Sequence, residues 1–328
     1  MPLLQKRIKK DTFVEILERV ASRLAGWKGR TLSLAGRITL TKSVLSSIHV
    51  HSMSSIILPA STLESLDKVS RAFLWRSTTE KRKLHLLSWS RVCKPKCDGG
   101  LGIRKAKDMN RALIAKVGWR LMQNKECLWA RVLRSKYKVG TVHDGNWITP
   151  KSNWSSSWRS IATGLREVVF KGLGSVPGDG ISIRFWEDMW LLSTPLLDWV
   201  LGSIPETERG KRVAEYWTEG FGWRMEVISQ FLPENIIQRL YAMVIGGSDG
   251  VTDHISWTGT ENGSFSVSSA YSLLAGEGES GLCMARFFER LWKVKAPERA
   301  RVFLWLVGNQ AVLTNAERHR RHMADSEV

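Results

Sequence analysis

Residues 33–75 read SLAGRITLTKSVLSSIHVHSMSSIILPASTLESLDKVSRAFLW, and apolar side chains recur along them at steps of three and four. This spacing places the apolar side chains on one side of a helix. It predicts a helix over about Ser33–Met53, a break at Pro59, and a further helix after the break. The apolar stripe of that further helix comprises Leu63, Leu66, Val69, Phe73 and Leu74. The stretch therefore predicts a helical fold.

The rest of the chain extends this pattern and then changes it. Helical spacing also covers residues 13–24, 109–122 and 128–137. After about Gly140, Trp and turn residues become frequent, and short alternating stretches predict a strand over 181–185 and a hairpin with strands over 255–259 and 264–267. The expected fold is mainly α, with a basic helical N-terminal half and an α+β second half containing small antiparallel hairpins. The expected domains are residues 1–140, 141–250 and 251–328.

Positive charge is concentrated at the start of the chain. Residues 1–150 contain 30 Lys and Arg against 10 Asp and Glu, whereas the remainder has a balance of −2 within an overall +18. Such a single-sign field attracts polyanions, and cations bind a phosphate backbone mainly by releasing its counterions. The distribution favours RNA or DNA as the partner over an anionic membrane. A role in solubility, or pairing with an acidic domain, is the alternative.

Arg37 lies inside the apolar stripe of the predicted helix over residues 33–53. An unpaired cation in such a position costs free energy, so we expect a fixed partner. The partner could be a carboxylate of this chain, a carboxylate of a neighbouring protein, or a phosphate reached by the long side chain.

Lys116 and Arg120 interleave with Trp119 in a later predicted helix. Basic residues among aromatic ones suit a nucleic-acid surface, and we include both cations as candidate contacts. Trp119 and Trp129 themselves have the helical spacing of core residues.

The sequence predicts neither a metal site nor a bound cofactor. The four cysteines do not form a disulfide framework, and Cys93 and Cys97 lack a second ligand pair at zinc spacing. The carboxylates Asp179, Glu187 and Asp188 are more typical of turns and strand ends than of a magnesium site. The chain lacks a signal-like opening and any long apolar run, so we expect a nuclear or cytoplasmic protein that is not secreted and does not cross a membrane.

Several long strings resemble the region that follows the palm in plant LINE-type (non-LTR) retrotransposon reverse transcriptases. They include LAGWKGRTLSLAGRITLTKSVLSSI from Leu24, HLLSWSRVCKPKCDGGLGI from His85, GDGISIRFWEDMWL from Gly178 and LWKVKAPERARVFLWLV from Leu291. The resemblance implies that residues 1–140 are a thumb-like or connection region and 141–250 a Trp-rich linker domain. Residues 251–328 would be the truncated start of the zinc-binding region. A thumb would grip template and primer through backbone contacts at Lys28, Arg30, Arg37 and Lys42.

The sequence departs from that family in its chemistry. The family's palm carries a Tyr-Ala-Asp-Asp box whose carboxylates hold two metal ions, and this sequence contains no Asp-Asp pair. The zinc ligands and any RNase H domain would be expected beyond a tail such as this one. We therefore expect a non-enzymatic fragment that binds RNA, DNA or an RNA–DNA hybrid, with a separate reverse-transcriptase palm as a candidate partner. A retroelement relic without selected activity is the alternative. The sequence leaves open the preference for DNA or RNA and the oligomeric state.

Overall fold

The computed structural model describes residues 13–24, 31–47, 50–78, 83–141, 145–245, 251–276 and 282–320. The longer helices in these ranges are α1 (Val14–Leu24), α2 (Leu34–Ser47), α3 (Ala60–Trp75), α4 (Ala106–Gln123), α5 (Leu128–Tyr137), α6 (Ser156–Glu167), α7 (Glu234–Tyr241), α8 (Val267–Ala275), α9 (Leu282–Lys293) and α10 (Glu298–Gly308). Short α-helical segments cover Val50–Met53, Trp89–Val92, Glu206–Arg209, Met225–Ile228 and Asn315–Arg320. Single 3-10 turns cover Gly145–Trp147, Val169–Lys171, Leu196–Trp199 and Val213–Tyr216.

The strands in the described part of the chain are short and antiparallel. They are β1 (Leu173–Val176), β2 (Trp217–Thr218), β3 (Gly222–Trp223) and β4 (His254–Trp257). β1 pairs with β4, and β2 pairs with β3. The expected mainly α fold with small antiparallel strands is confirmed, while the thumb-like identity of the first half stays a prediction.

The chain divides into two compact units, each assembled from segments that are far apart in sequence. Unit 1 comprises Met1–Val117, Pro150–Gly164 and Tyr271–Val328. Unit 2 comprises Gly118–Thr149 and Leu165–Ala270. The three domain ranges inferred from the sequence follow chain order and stay a prediction.

A hydrophobic core in unit 1 brings α2 and α3 together with α9, α10 and the segment around residues 92–103. Its buried members include Ala35, Ile38, Leu74, Trp75, Leu101, Ile103, Phe288, Leu291, Val302 and Trp305. Burial of such side chains supplies the main favourable free energy of folding. Because residues near both ends of the described chain share this core, α9 and α10 are integral to unit 1.

Gly99 joins α10 to the segment that precedes α4. The indole nitrogen of Trp305 donates to the Gly99 carbonyl oxygen at 2.8 Å, and the Asn309 amide donates to the same oxygen at 3.0 Å. Gly99 has a φ of +79°, and a Cβ there would lie 2.7 Å from the Phe288 ring. Glycine is therefore required at this position by both backbone conformation and space. Phe303 and Val307 of α10 are exposed, whereas the Trp305 ring is fully buried.

Asn110 connects α4 to the segment before α3. Its side chain is fully buried, and its Oδ1 accepts a hydrogen bond from the Leu58 N–H at 2.8 Å. Its Nδ2 donates to the carbonyl oxygens of Met53 and Ile56 at 2.8 and 2.9 Å. These bonds satisfy backbone groups in the connection between α2 and α3, so one amide fixes the path of the chain between the two helices.

The core of unit 2 is an aromatic cluster. Phe185, Trp186, Trp190, Tyr216 and Trp223 are all buried and pack with ring centroids between 4.4 and 6.1 Å apart. The strand expected over residues 181–185 is wrong, since this segment makes a single bridge at Arg184 with Arg212. The alternation that suggested a strand reflects the burial of Ile183 and Phe185 in the cluster.

The loop before this cluster is held by one carboxylate. Asp253 accepts hydrogen bonds from the backbone N–H groups of Gly178, Gly180 and Ser182, each at 2.8 Å, and from the Ser182 hydroxyl at 2.9 Å. Partial burial alone would raise the pKa of Asp253, but these four donors together lower it.

The hairpin expected from strands over 255–259 and 264–267 is also wrong in its pairing. β4 lies where the first strand was expected, but its partner is β1, with Leu173 opposite Trp257 and Val176 opposite His254. The segment after the turn leads directly into α8. The strand pair therefore joins residues about eighty positions apart.

Candidate nucleic-acid interface

α2 positions two of the candidate contact residues, Arg37 and Lys42. The helix begins beside Ser33, whose hydroxyl accepts from the Gly36 N–H at 3.3 Å, and it packs against α1, α3 and α10. Five residues separate Arg37 from Lys42, so the two cations point to different sides of α2. Lys28 and Arg30 fall outside the described residues.

The Arg37 side chain is enclosed, with only 7% of its surface exposed. Its Nε and Nη1 atoms have no hydrogen-bond partner among the described residues. Burial is the main cause that lowers the pKa of Arg37 to about 10, and the nearby Arg76 lowers it further. Arg76 is held in place because its Nη2 donates to the Leu32 carbonyl oxygen at 2.8 Å. The carboxylate of this chain that the sequence left open as a partner is not found in the described part of the structure.

Lys42 lies half-buried on another side of α2. Burial and then the positive charge of Lys96 lower its pKa to about 8, and Glu298 acts in the opposite direction. Glu298 also pairs with Arg301, with 2.7 Å between a guanidinium nitrogen and a carboxylate oxygen. Glu298 is therefore shared between Lys42 and another cation.

Lys96 is exposed, and its ammonium lies 4.3 Å from the centroid of the Trp292 ring. An aromatic face attracts a cation and restricts where it can go. Lys42 from α2 and Lys96 from the turn before Gly99 thus form a positively charged pair supported by α9. We call Lys42 and Lys96 the lysine pair.

Lys116 and Arg120 lie on α4, separately from α2. Both are exposed and stand one turn apart on the same face of the helix. Trp119 lies on a neighbouring face of α4 and is buried, where its ring packs against Trp257 and Phe265. The prediction that Trp119 is a core residue is confirmed, whereas Trp129 is only partly buried.

Sequence reasoning missed Arg76 and Lys96. Arg76 ends α3 in the left-handed conformation, with φ of 57°, and its approach to α2 depends on how the two helices cross. Lys96 lies in a turn of the segment KPKCD, residues 94–98, and the sequence there does not separate it from Lys94 as a candidate contact. Neither residue carried a sequence signal that would separate it from its neighbours, because both acquire their surroundings through tertiary packing.

A half-buried carboxylate lies apart from these cations. Asp67 accepts a hydrogen bond from the Ala106 N–H at 3.2 Å, at the start of α4. Burial raises the pKa of Asp67 to about 6, although this hydrogen bond acts in the opposite direction. Burial likewise raises the pKa of the nearby Cys93 thiol, which argues against a reactive thiolate.

The described side chains form no metal site. No group of three His, Cys, Asp or Glu side chains in that part of the chain is placed to share an ion. Of the carboxylates considered from the sequence, Asp179 accepts from the Ile181 N–H, Asp188 from the Arg184 N–H, and Glu187 pairs with Arg184 and Arg209. Among the described helices, none is long and apolar enough to span a membrane.

Comparison with known proteins gives three matches. Residues 265–328 match the family described as zinc-binding in reverse transcriptase. The whole chain is 55% identical to the Arabidopsis thaliana protein named "Putative ribonuclease H protein", and it spans 53% of the length of that relative. Over 158 residues, 45% of this chain, it is 35% identical to an uncharacterized mitochondrial protein of the same plant, 95% of which is covered. No solved structure matches the chain.

The family name of the matched segment implies zinc, but its described residues do not fit such a site. They lack the required group of ligands, and the side chains of Cys283 and His322 lie outside the described residues. The described segment is instead held by apolar side chains, among them Phe288, Leu291 and Trp305. Packing therefore accounts for its structure.

Proposed function

The chain belongs to a family of reverse-transcriptase-related proteins of retroelement origin, and we propose that it is a non-catalytic nucleic-acid-binding part of a LINE-type (non-LTR) reverse transcriptase. In this proposal unit 1 acts as a thumb-like element that grips an RNA–DNA hybrid, a DNA duplex or RNA. The contacts are made to phosphates, so binding does not depend on sequence.

The lysine pair is the observation that carries the proposal. Lys42 is half-buried, the positive charge of Lys96 lowers its pKa, and Glu298, which acts in the opposite direction, is shared with Arg301. Two cations held together without full compensation raise the energy of the free protein. A polyanion that approaches them removes this repulsion and gains the entropy of released counterions.

The concentration of charge supports the same conclusion. The excess positive charge of the chain lies within residues 1–150, and most of this range belongs to unit 1. Lys116 adds an exposed cation to unit 1, and Arg120 is an exposed cation of unit 2. A surface of this kind binds phosphate backbones without reading bases, because Lys and Arg contacts to phosphate carry no base information.

The non-catalytic assignment rests on the sequence. A polymerase needs closely spaced carboxylates for its two metal ions, and no Asp-Asp pair is present. We propose that catalysis, where it occurs, is supplied by a separate palm. Neither the chemistry implied by the name of the relative nor its partners are assigned to this chain.

The test is a binding titration with fluorescently labelled RNA–DNA hybrid, DNA duplex and RNA over a series of salt concentrations. For the intact chain we expect a linear fall in the logarithm of the binding constant with the logarithm of salt. Lys42→Gln should reduce the magnitude of the slope by about 1 on a duplex, the value for one lost phosphate contact. Arg239→Gln removes an exposed cation from unit 2 and serves as the matched control, with an unchanged slope.

The outcomes separate the proposal from its alternatives. Equal effects of Lys42→Gln and Arg239→Gln would show that total charge, and not the lysine pair, governs binding. Failure of the folded chain to bind any of the three nucleic acids at low salt would favour a retroelement relic without selected activity. Metal-dependent polymerase or nuclease activity of the purified chain would contradict the non-catalytic assignment.

A further inference from the structure

An apolar surface crosses α9 and α10 outside the residues that these helices bury in the core of unit 1. Its five members are large apolar side chains that stay between 39% and 55% exposed: Met284, Phe287, Phe303, Leu304 and Val307. We call them the α9–α10 surface. Exposed apolar side chains that occur singly need no explanation, but a contiguous group of them marks an interaction site.

Contacts and helical spacing make this surface continuous. Phe287 of α9 lies against Gly308 of α10, where an added Cβ would overlap the Phe287 ring. Leu304 lies one turn before Gly308 on the same face of α10. Phe303 and Val307 are one turn apart on the neighbouring face, and the other α9 member lies one turn before Phe287. The two helices therefore present one joined surface.

Arginines border the α9–α10 surface on both helices. Arg286 and Arg290 are one turn apart on α9, and both lie beside Phe287 on the side away from the core. Arg299 lies one turn before Phe303 on α10. All three arginines are exposed. The border of the surface is therefore positively charged.

The acids of the same two helices do not neutralise this border. Glu298 pairs with Arg301, with 2.7 Å between a carboxylate oxygen and a guanidinium nitrogen. Glu289 follows Phe287 by two residues, which places it on the opposite side of α9. The surface is thus apolar in the middle and positive at the edge. A complementary partner has an apolar middle and a negatively charged edge.

We propose that the α9–α10 surface docks an amphipathic helix of a partner protein, with Asp and Glu along both sides of the apolar stripe of that helix. α9 has 12 residues and α10 has 11. Each is about 17 Å long, which is enough for about three turns of a third helix. Apolar side chains at i, i+3, i+4 and i+7 of the partner would cover the surface. This inference goes beyond the proposed function and does not depend on it.

The composition of the surface favours a helix over nucleic acid or a membrane. Bases stack on aromatic rings, whereas Met284, Leu304 and Val307 have none. Insertion into a bilayer buries an apolar face about 5–10 Å deep. The side chains of the α9–α10 surface are already about half covered, so they have little length left to insert.

The test is fluorescence anisotropy of labelled peptides of about 14 residues, titrated with the full chain. The first peptide has Leu at i, i+3, i+4 and i+7 with Glu along both sides. The second has Lys in place of Glu, and the third has the composition of the first in scrambled order. We expect saturable binding of the first peptide, at least about tenfold tighter than binding of the other two.

Variants locate the bound peptide. Phe303→Ala should weaken binding of the first peptide about tenfold, because the exposed 55% of this side chain is available for burial. The double variant Arg286→Gln, Arg290→Gln should weaken it about fivefold, but should not affect a peptide with Gln in place of Glu. Leu201→Ala removes an exposed apolar side chain from unit 2 and should change neither affinity. If Phe303→Ala does not fold, the arginine variant decides.

A competition separates this surface from the lysine pair. Phe287 and Trp292 are five residues apart, so they lie on different sides of α9, and Trp292 is on the side of Lys96. The RNA–DNA hybrid should therefore not displace the first peptide. Displacement by the hybrid would show that the peptide binds the lysine pair as a simple polyanion, which overturns the proposal.

Other results also overturn the proposal. Failure of the first peptide to bind, or equal binding of the scrambled peptide, would show that no helix is recognised. Equal binding of the Lys peptide would show apolar adhesion without charge complementarity. Sedimentation that detects a dimer of the wild type but not of Phe303→Ala would identify a second copy as the occupant. Binding of the wild type but not of Phe303→Ala to phosphatidylcholine–phosphatidylserine vesicles, or to single-stranded RNA, would identify a membrane or nucleic acid instead.

Discussion

Replacement of Asn110 by Ala should strongly destabilise unit 1. The side chain is fully buried and makes three hydrogen bonds of 2.8–2.9 Å to the backbone of residues 53–58. Each bond contributes about 1 kcal/mol net, which gives roughly 3 kcal/mol. The Leu58 N–H is also left buried without an acceptor, which costs about 1–3 kcal/mol more when water does not enter. We therefore expect a loss of about 3–6 kcal/mol in the free energy of unfolding.

The assay combines urea unfolding with hydrogen exchange. Unfolding followed by tryptophan fluorescence gives the overall loss of stability, and exchange at the Leu58 amide reports the local bond directly. The Leu58 amide should exchange much faster in Asn110→Ala than in wild type. Asn235→Ala, at an exposed position in α7, should stay within about 0.5 kcal/mol of wild type. A loss below about 1 kcal/mol for Asn110→Ala, with the Leu58 amide still protected, would refute the assigned role of Asn110.

Three further predictions follow from the carboxylates and from the lysine pair. Asp253→Ala should lower the free energy of unfolding by about 2–4 kcal/mol, because four hydrogen bonds to the carboxylate are lost. Hydrogen exchange at the amides of residues 178–182 should also become faster, and unchanged exchange there would contradict the prediction. The folded-state pKa of Asp67 is about 6 against an ordinary 3.8. Protonated Asp67 therefore stabilises the folded protein at low pH, and this stabilisation is lost as pH rises from about 4 through 6. Asp67→Asn should therefore be more stable than wild type above pH 6, by up to about 2 kcal/mol in urea unfolding, and no more stable near pH 4; a constant difference would exclude this titration. Lys42 has a pKa of about 8, so binding of the RNA–DNA hybrid should weaken from pH 7 to pH 9 in wild type. Binding should weaken much less in Lys42→Arg, because arginine keeps its charge. Equal pH dependence of the two proteins would show that another group titrates.

The helices were predictable because their signals are local. The spacing of apolar residues located α2, α3, α4 and α5, and Pro59 marks the start of α3 as expected. The same spacing identified Arg37 as a cation inside an apolar stripe, and the structure buries it. The stripe could not reveal the surroundings of this charge, because Arg76, a second cation, reaches α2 only through the packing of α3.

The strand pairing was not predictable in this way. Trp257 lies opposite Leu173, and nothing in the sequence around β4 distinguishes this partner from the nearby residues after Gly263. Ile183 and Phe185 alternate like a strand but enter an aromatic cluster from a loop, which Asp253 holds from a distant position. Trp305 belongs to a helix that looks amphipathic and unpartnered by itself, yet its indole bonds to Gly99 more than two hundred residues earlier. In each case the deciding contact is non-local.

Hydrogen exchange of the intact chain, with and without an RNA–DNA hybrid at low salt, tests the central claim most directly. The claim is that unit 1 grips a phosphate backbone through α2 and the turn that carries Lys96. We predict that the hybrid slows exchange in residues 31–47 and 93–102, and that protection decreases as salt is raised. Protection confined to residues 165–245, or no protection at hybrid concentrations that saturate binding, would contradict the account.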